Sequence, residues 1–379
     1  MNMSSKKNSP TPPRAVWGDW IITEDKILNR FWNHEAETAV VPDGVVKIGR
    51  AFHNFQKLKS VVLPDSVTEI GIEAFSESEN LKSVNIPDGV TKIGLMAFSS
   101  CKSLSRLVLP ESVAEIGPHA FYSSGIEEFV FPENMTDLKD GLFALCKKLT
   151  RVVLPEGISR IPECMFTDCE TLSELLIPEN VTEIGAGAFR NCRNLKISIP
   201  PFVSEIKDLA LQGVLQVTSE SSDYPVDEAG CLFDVKNNKL IYAPPALSGS
   251  YSVPEGISEI EEFVFSGCKN LTGIILPAGI TKIGAVTFEN CESLTRAVLP
   301  EGITEIEMGA FKGCKNLTDI IIPDSVTKIG DYAFAGCTNL TDITLPDSVV
   351  ELSLSAFSGA GCAKKLKKIY PDQIGRAHV

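Results

Sequence analysis

Cysteine is the residue type of this chain with the most obvious capacity for chemistry. There are 11 cysteines, and eight of them (Cys101, Cys146, Cys169, Cys192, Cys268, Cys291, Cys314 and Cys337) recur at one place in a repeated phrase. Thiols stacked at strand spacing are close enough to form disulfides. Cysteine also packs as a small apolar side chain, and a column of buried thiols is the expected outcome. Cys164 and Cys169 form a single C-x4-C. A closed zinc site needs four ligands, and no second pair or nearby histidine follows, so no metal is expected. His34, His53 and His119 are scattered along the chain, with His119 expected to face solvent. There is no nucleophile elbow, H-E-x-x-H or Ser-His-Asp order. The glycines of residues 185–189 (GAGAF) belong to the repeat and lack the glycine pattern of a phosphate loop. The Asn-Leu-Thr triplets at Asn270, Asn316 and Asn339 are likewise products of the repeat. The expectation is a non-catalytic protein without cofactor.

The phrase itself dictates the fold. One proline recurs at Pro42, Pro64, Pro87, Pro110, Pro132, Pro155, Pro178 and Pro200, and again at Pro254, Pro277, Pro300, Pro323 and Pro346. A period of 20–29 residues with regularly placed Leu and Ile marks a leucine-rich solenoid. Each unit reads L-x-x-I-x-L-P-x-x-V-x-x-I-G-x-x-A-F-x-x-C-x-x. Alternating apolar residues before the proline predict a strand. Proline, with no N–H for a ladder, ends it. A second short extended segment stops at Ile-Gly, and A-F-x-x-C suits one tight helical turn. A single unit buries too little apolar surface to offset the entropy of ordering it, so stacked coils must fold cooperatively. The recurrent phenylalanines from Phe52 to Phe357, with Leu211 in that slot after Pro200, and the isoleucines from Ile70 to Ile329 are assigned to internal columns. The fold class is therefore a repeat solenoid, mainly β with short helical or 3-10 turns, wound as a right-handed superhelix.

Two stretches break the period. The one before Pro42 is read as an N-terminal cap. The one before Pro254 is read as a β-hairpin with its turn at Asn237-Asn238. The expected organisation is a disordered lead-in at 1–18, a cap and first array at 19–213, a spacer at 214–253, a second array at 254–373, and a non-native tail at 374–379. That tail (IGRAHV) departs from the local pattern and matches the translation of a sequencing-adapter sequence, so His378 is set aside. The two arrays are expected to form one continuous or slightly kinked solenoid. The net charge of −14, with no basic cluster, argues against a nucleic-acid partner. No apolar run reaches the roughly 18–20 residues of a membrane span. The N-terminus shows no apolar signal-peptide core, which points to the cytoplasm, or to the cell surface if the chain is truncated.

The in-phase recurrence of Pro, Ile-Gly and Ala-Phe over about residues 19–371, in phrases such as LPDSVTEIGIEAF, resembles the BspA-like leucine-rich repeat family. The hairpin-bearing stretch LIYAPP…GSYSVPEG resembles that family's spacer unit. The resemblance implies a bacterial or protist protein whose relatives are often surface-exposed, some of them in adhesion. This chain departs from that pattern in showing neither signal peptide nor sorting motif.

Function, if written in the repeat, should lie where residues change. Two columns project from the first strand, on the face expected to be concave. One contains Arg106, Glu128, Arg151, Glu174 and Arg296; the other contains Val108, Val130, Val153, Leu176 and Val298. An aliphatic stripe flanked by charges reads as a docking surface for a protein ligand of unknown identity. The bland readings are that β-branched residues simply favour strands, or that a neighbouring element covers the stripe. The leading expectation is a monomeric protein-interaction module, possible roles being bacterial adhesion or surface recognition. A structural spacer or an intracellular scaffold in a larger protein is the alternative.

Overall fold

The computed structural model describes residues 15–17 and 19–369. The chain falls into two compact units divided between Leu172 and Ser173. Each unit is a β-solenoid of stacked coils, and the only helix among the described residues is Ala363–Ile369. Residues 1–14 and the tail at 374–379 lie outside the described residues.

One coil of the first unit shows how the phrase works. Strand Ser83–Val84 pairs in parallel with Ser60–Val62 of the preceding coil. Pro87 turns the corner: its carbonyl accepts the Val90 N–H at 3.0 Å, closing a four-residue turn. Lys92–Ile93 then pairs in parallel with Glu69–Ile70. Gly94 follows because a Cβ there would stand 2.6 Å from the Gly71 carbonyl carbon of the coil beneath. The Ala-Phe turn comes next, and it is not a turn of helix. Met96 and Ser100, two residues either side of Phe98, both have φ in the left-handed region (54° and 59°). Alternate N–H groups therefore point along the stack. Met96, Phe98 and Ser100 donate to Pro118, Ala120 and Tyr122 of the next coil at 3.1, 2.8 and 2.7 Å. The intervening Ala97, Ser99 and Cys101 N–H groups fold back onto carbonyls three residues earlier. The turn edge thus carries its own hydrogen-bonded ladder, parallel to those of the strands.

The same left-handed pair flanks the core residue in coil after coil, as in Glu73/Glu77, Leu209/Gly213, Phe263/Gly267 and Gly309/Gly313. Leu211 lies between Leu209 and Gly213, and the phenylalanines between the other pairs are fully buried and stack face to face. Phe52, Phe75 and Phe98 are 5.2 and 5.0 Å apart in the first unit. Phe265, Phe288, Phe311 and Phe334 are 5.1–5.3 Å apart in the second. In the first unit a seven-stranded sheet runs from an antiparallel meander (Ala15–Trp17, Trp20–Ile22, Ile27–Phe31) into the second strands of the coils. Trp20 stacks on Phe31 at 4.3 Å and edges onto Phe52 at 6.2 Å, so the aromatic column begins in the meander.

The second unit contains the interruption. Leu232–Asp234 and Lys239–Tyr242 form the antiparallel hairpin anticipated from Asn237-Asn238, and Lys239–Tyr242 pairs in parallel with Glu259–Ile260 of the following coil. Ser248–Ser252 supplies that coil's first strand and pairs with Asn270–Ile275.

Candidate protein-binding face

In the first unit, first strands pair in the order Thr38–Val40, Ser60–Val62, Ser83–Val84, and again as Glu128–Val130 with Arg151–Val153. Between these sets, residues 104–110 form no strand. Asn85 precedes this break and bridges back to the coil before it. Its side-chain oxygen accepts the Leu63 N–H at 2.7 Å, and its amide donates to the Leu63 carbonyl at 2.9 Å. This explains a polar residue in an otherwise aliphatic column: the amide substitutes for a main-chain rung.

Strand alternation puts Leu107, Phe129 and Val152 into the core and their neighbours outside. Val108, Val130 and Val153 are 66%, 57% and 37% exposed, and Val40 and Val62 extend the column towards the N-terminus. No element covers the stripe among the described residues, so the reading of a covered stripe is not realised. Arg106, Glu128 and Arg151 are exposed beside it, with Glu128 and Arg151 directly opposite in register. Six of the ten anticipated residues therefore share one face of the first unit. The other four belong to the second unit and do not form one patch. Glu174 and the very exposed Leu176 (88%) lie at or next to strand Glu174–Leu175. Arg296 and the half-buried Val298 lie on Arg296–Val298, in a different sheet. There Arg296 is paired with Asp319 at 3.1 Å.

The thiol column is inert by geometry. All eight repeat-slot cysteines are buried, and no disulfide forms among the described residues. Cys101, Cys146, Cys291, Cys314 and Cys337 each point the thiol at the carbonyl of a phenylalanine in the preceding coil, at 3.0–3.2 Å. Ser78 fills the slot in its own coil and makes the same bond to Phe52. Burial pushes the Cys337 thiol up to about 12 and Cys146 to about 11, far from the thiolate that reactivity requires. Of the C-x4-C pair, Cys164 is exposed and Cys169 is buried. No group of His, Cys, Asp and Glu among the described residues could hold a metal ion.

The histidines differ from their expected placement. His34 and His53, distant in sequence, line one pocket at the meander together with Asn29 and Arg50. His34 stacks on Phe55 at 4.3 Å and His53 Nε2 meets Arg50 at 2.9 Å. His119 is half-buried rather than solvent-facing. Its ring occupies the space where a Cβ on Gly141 would stand, 2.2 Å away.

A model of the BspA type leucine-rich repeat region matches six copies over residues 28–150, 136–221 and 247–365. The chain belongs to the BspA-type leucine-rich repeat family. A leucine-rich cell surface protein from Faecalibacterium prausnitzii is similar at 31% identity over 94% of both chains, with a TM-score of 0.71. A leucine-rich repeat protein from Bacteroides ovatus follows at 26% identity, over 93% of this chain and 92% of that one, with a TM-score of 0.59. The pneumococcal vaccine antigen PcpA shares the fold at 18% identity over 96% of this chain and 97% of its own, with a TM-score of 0.55. No curated protein matches. The BspA-type solenoid is typically non-catalytic, and the family supports a protein-interaction or surface-protein role. No helix among the described residues is long and apolar enough to cross a membrane.

Proposed function

We propose that this chain is a non-catalytic recognition module of a bacterial surface protein, and that it grips a protein ligand with the strand face of its first unit. The observation that carries the reading is the exposed column Val108, Val130 and Val153, bordered by Arg106, Glu128 and Arg151. Exposed aliphatic side chains in consecutive coils provide apolar area that water disfavours. The bordering charges alternate in sign, so they favour a partner surface of opposite alternation and set its register. Such a partner presents its own apolar side chains between an acidic, a basic and an acidic group. The similarity to a cell surface protein from Faecalibacterium prausnitzii supports adhesion as the setting.

The test is adhesion of beads coated with the chain to an epithelial cell monolayer. The double variant Val130→Asp/Val153→Asp should keep the wild-type melting temperature to within a few degrees, because both side chains are already exposed. Adhesion should fall at least tenfold. Equal adhesion by a folded double variant overturns the reading.

A further inference from the structure

The turn edge of the second unit contains a gap between two regular runs of its ladder. Before it, Gly187, Phe189 and Asn191 donate their N–H groups to the carbonyls of Asp208, Ala210 and Gln212 at 3.0, 2.9 and 2.7 Å. After it, Phe265 and Gly267 donate to Thr287 and Glu289 at 3.0 and 2.8 Å. Between these two runs the spacer coil lacks the A-F-x-x-C turn and has residues 241–245 (IYAPP) in its place. This substitute maintains the interior: the Tyr242 hydroxyl donates to the Val214 carbonyl at 3.1 Å, and Cys268 directs its thiol to Pro244, where a phenylalanine carbonyl would ordinarily stand. It does not supply the outer rungs.

The gap opens on a notch of about 440 Å³, lined by Gln212 and Gly213 on one side and by Glu262, Val264 and Ser266 on the other, a volume within the range of ligand sites. On one side Leu209, Leu211 and Gly213 hold the positions whose N–H groups pass the ladder on. Leu209 is engaged by the Glu261 carboxylate, whereas Leu211 and Gly213 have no acceptor among the described residues. On the other side the carbonyls of Glu262, Val264 and Ser266 hold the positions that accept the ladder, and none receives a donor among the described residues. Donors and acceptors at alternate residues on opposite walls are what a polypeptide main chain presents to its neighbours.

We propose that this notch binds a short segment of a partner polypeptide in the turn conformation of a regular coil, which completes the missing rung through main-chain hydrogen bonds. The side chains around it are mixed in sign, with Arg193 and Lys269 near Glu262 and Glu289, so recognition rests on backbone complementarity rather than on a charged motif. Bare carbonyls and carboxylates on one wall disfavour a phosphate-bearing ligand. The site is independent of the strand face of the first unit.

The test uses the full chain and, as probe, a capped peptide with the sequence of residues 309–317, carrying Ser at the Cys314 position. This is the turn that a regular coil would place there. Saturable binding is expected, with hydrogen exchange at the Leu211 and Gly213 amides slowed at least tenfold. N-methylation of alternate peptide nitrogens should abolish binding. Ser266→Tyr should weaken binding at least tenfold while leaving the fold intact, because Tyr122 already occupies the equivalent slot of a regular coil. No saturation at millimolar peptide, saturation without protection of those two amides, or full affinity in Ser266→Tyr would each overturn the proposal.

Discussion

The first unit and the second are made from the same phrase, yet their turn edges differ. In the first, the left-handed pairs from Glu73/Glu77 to Gly141/Leu145 donate their N–H groups to the coil that follows, and Phe98 is clasped between Phe75 and Phe121 at 5.0 and 5.9 Å. In the second, the spacer removes one turn. Phe265 stacks on Phe288 at 5.1 Å, and its other aromatic neighbour among the described residues is the tilted ring of Tyr251 at 6.1 Å. The contrast shows that the repeat's cohesion is local: a coil is as well held as its two neighbours are complete.

Truncating the two rings should give the largest losses. Phe98→Ala is expected to destabilise the chain by about 3–5 kcal/mol. Phe265→Ala should cost roughly 1 kcal/mol less, since one good aromatic stack is already missing. Chemical denaturation of both variants checks this, and equal losses would mean that the spacer packs as tightly as a regular coil.

Next in size is a pH effect confined to the interruption. Burial pushes the Glu261 carboxyl up to about 7 from its usual 4.5, against the opposing pull of the Leu209 N–H and of Lys239, whose ammonium is 3.9 Å away. The folded chain then holds this proton more tightly than the unfolded chain does. Its contribution is fully present below about pH 4.5, declines as pH rises towards 7, and is lost above that. The difference in unfolding free energy between wild type and Glu261→Gln should change by up to about 3 kcal/mol across that window. A constant difference from pH 4.5 to 7 would contradict it.

A smaller effect, of unusual sign, should come from Val286. It sits in the left-handed slot with φ 51°, a conformation that costs a β-branched residue roughly 1–2 kcal/mol, while the next coil has Gly309 there. Val286→Gly is expected to be neutral or stabilising by up to about 1 kcal/mol, where valine to glycine ordinarily destabilises. A clear drop in melting temperature would show that the side chain's packing outweighs its backbone strain. The smallest effect is expected on the second-strand edge of the first unit. Lys92 lies between Glu69 and Glu115 in register, so Lys92→Glu should lower the melting temperature slightly, and added salt should erase the difference.

Much of this could be read from the sequence, and the reasons are physical. Period-2 and period-23 patterns are statements about burial. The phenylalanine column, the buried thiols and the outward face of Val108, Val130 and Val153 therefore followed from spacing alone. The left-handed pairs did not, because their slots hold Glu73, Met96, Leu209, Phe263 and Tyr332 as readily as glycine. There the stacked ladder, not the residue type, imposes φ. The proximity of His34 and His53 depended on how the meander docks, which no local pattern encodes. The notch was hidden for another reason: it is a turn that the chain leaves out, and its only sign was Tyr-Ala-Pro-Pro where Ala-Phe should stand.

The second-strand edge has a further consequence, for how such a chain can change in length. Its charged slot reads Lys47, Glu69, Lys92, Glu115 in one sheet and Lys282, Glu305, Lys328, Glu351 in another. Loss of one coil from either run would set like charges side by side, whereas loss of two would restore the alternation. Duplication follows the same parity rule. Recombination between near-identical phrases can deliver any number of coils, but this edge weakly favours inheriting them in pairs.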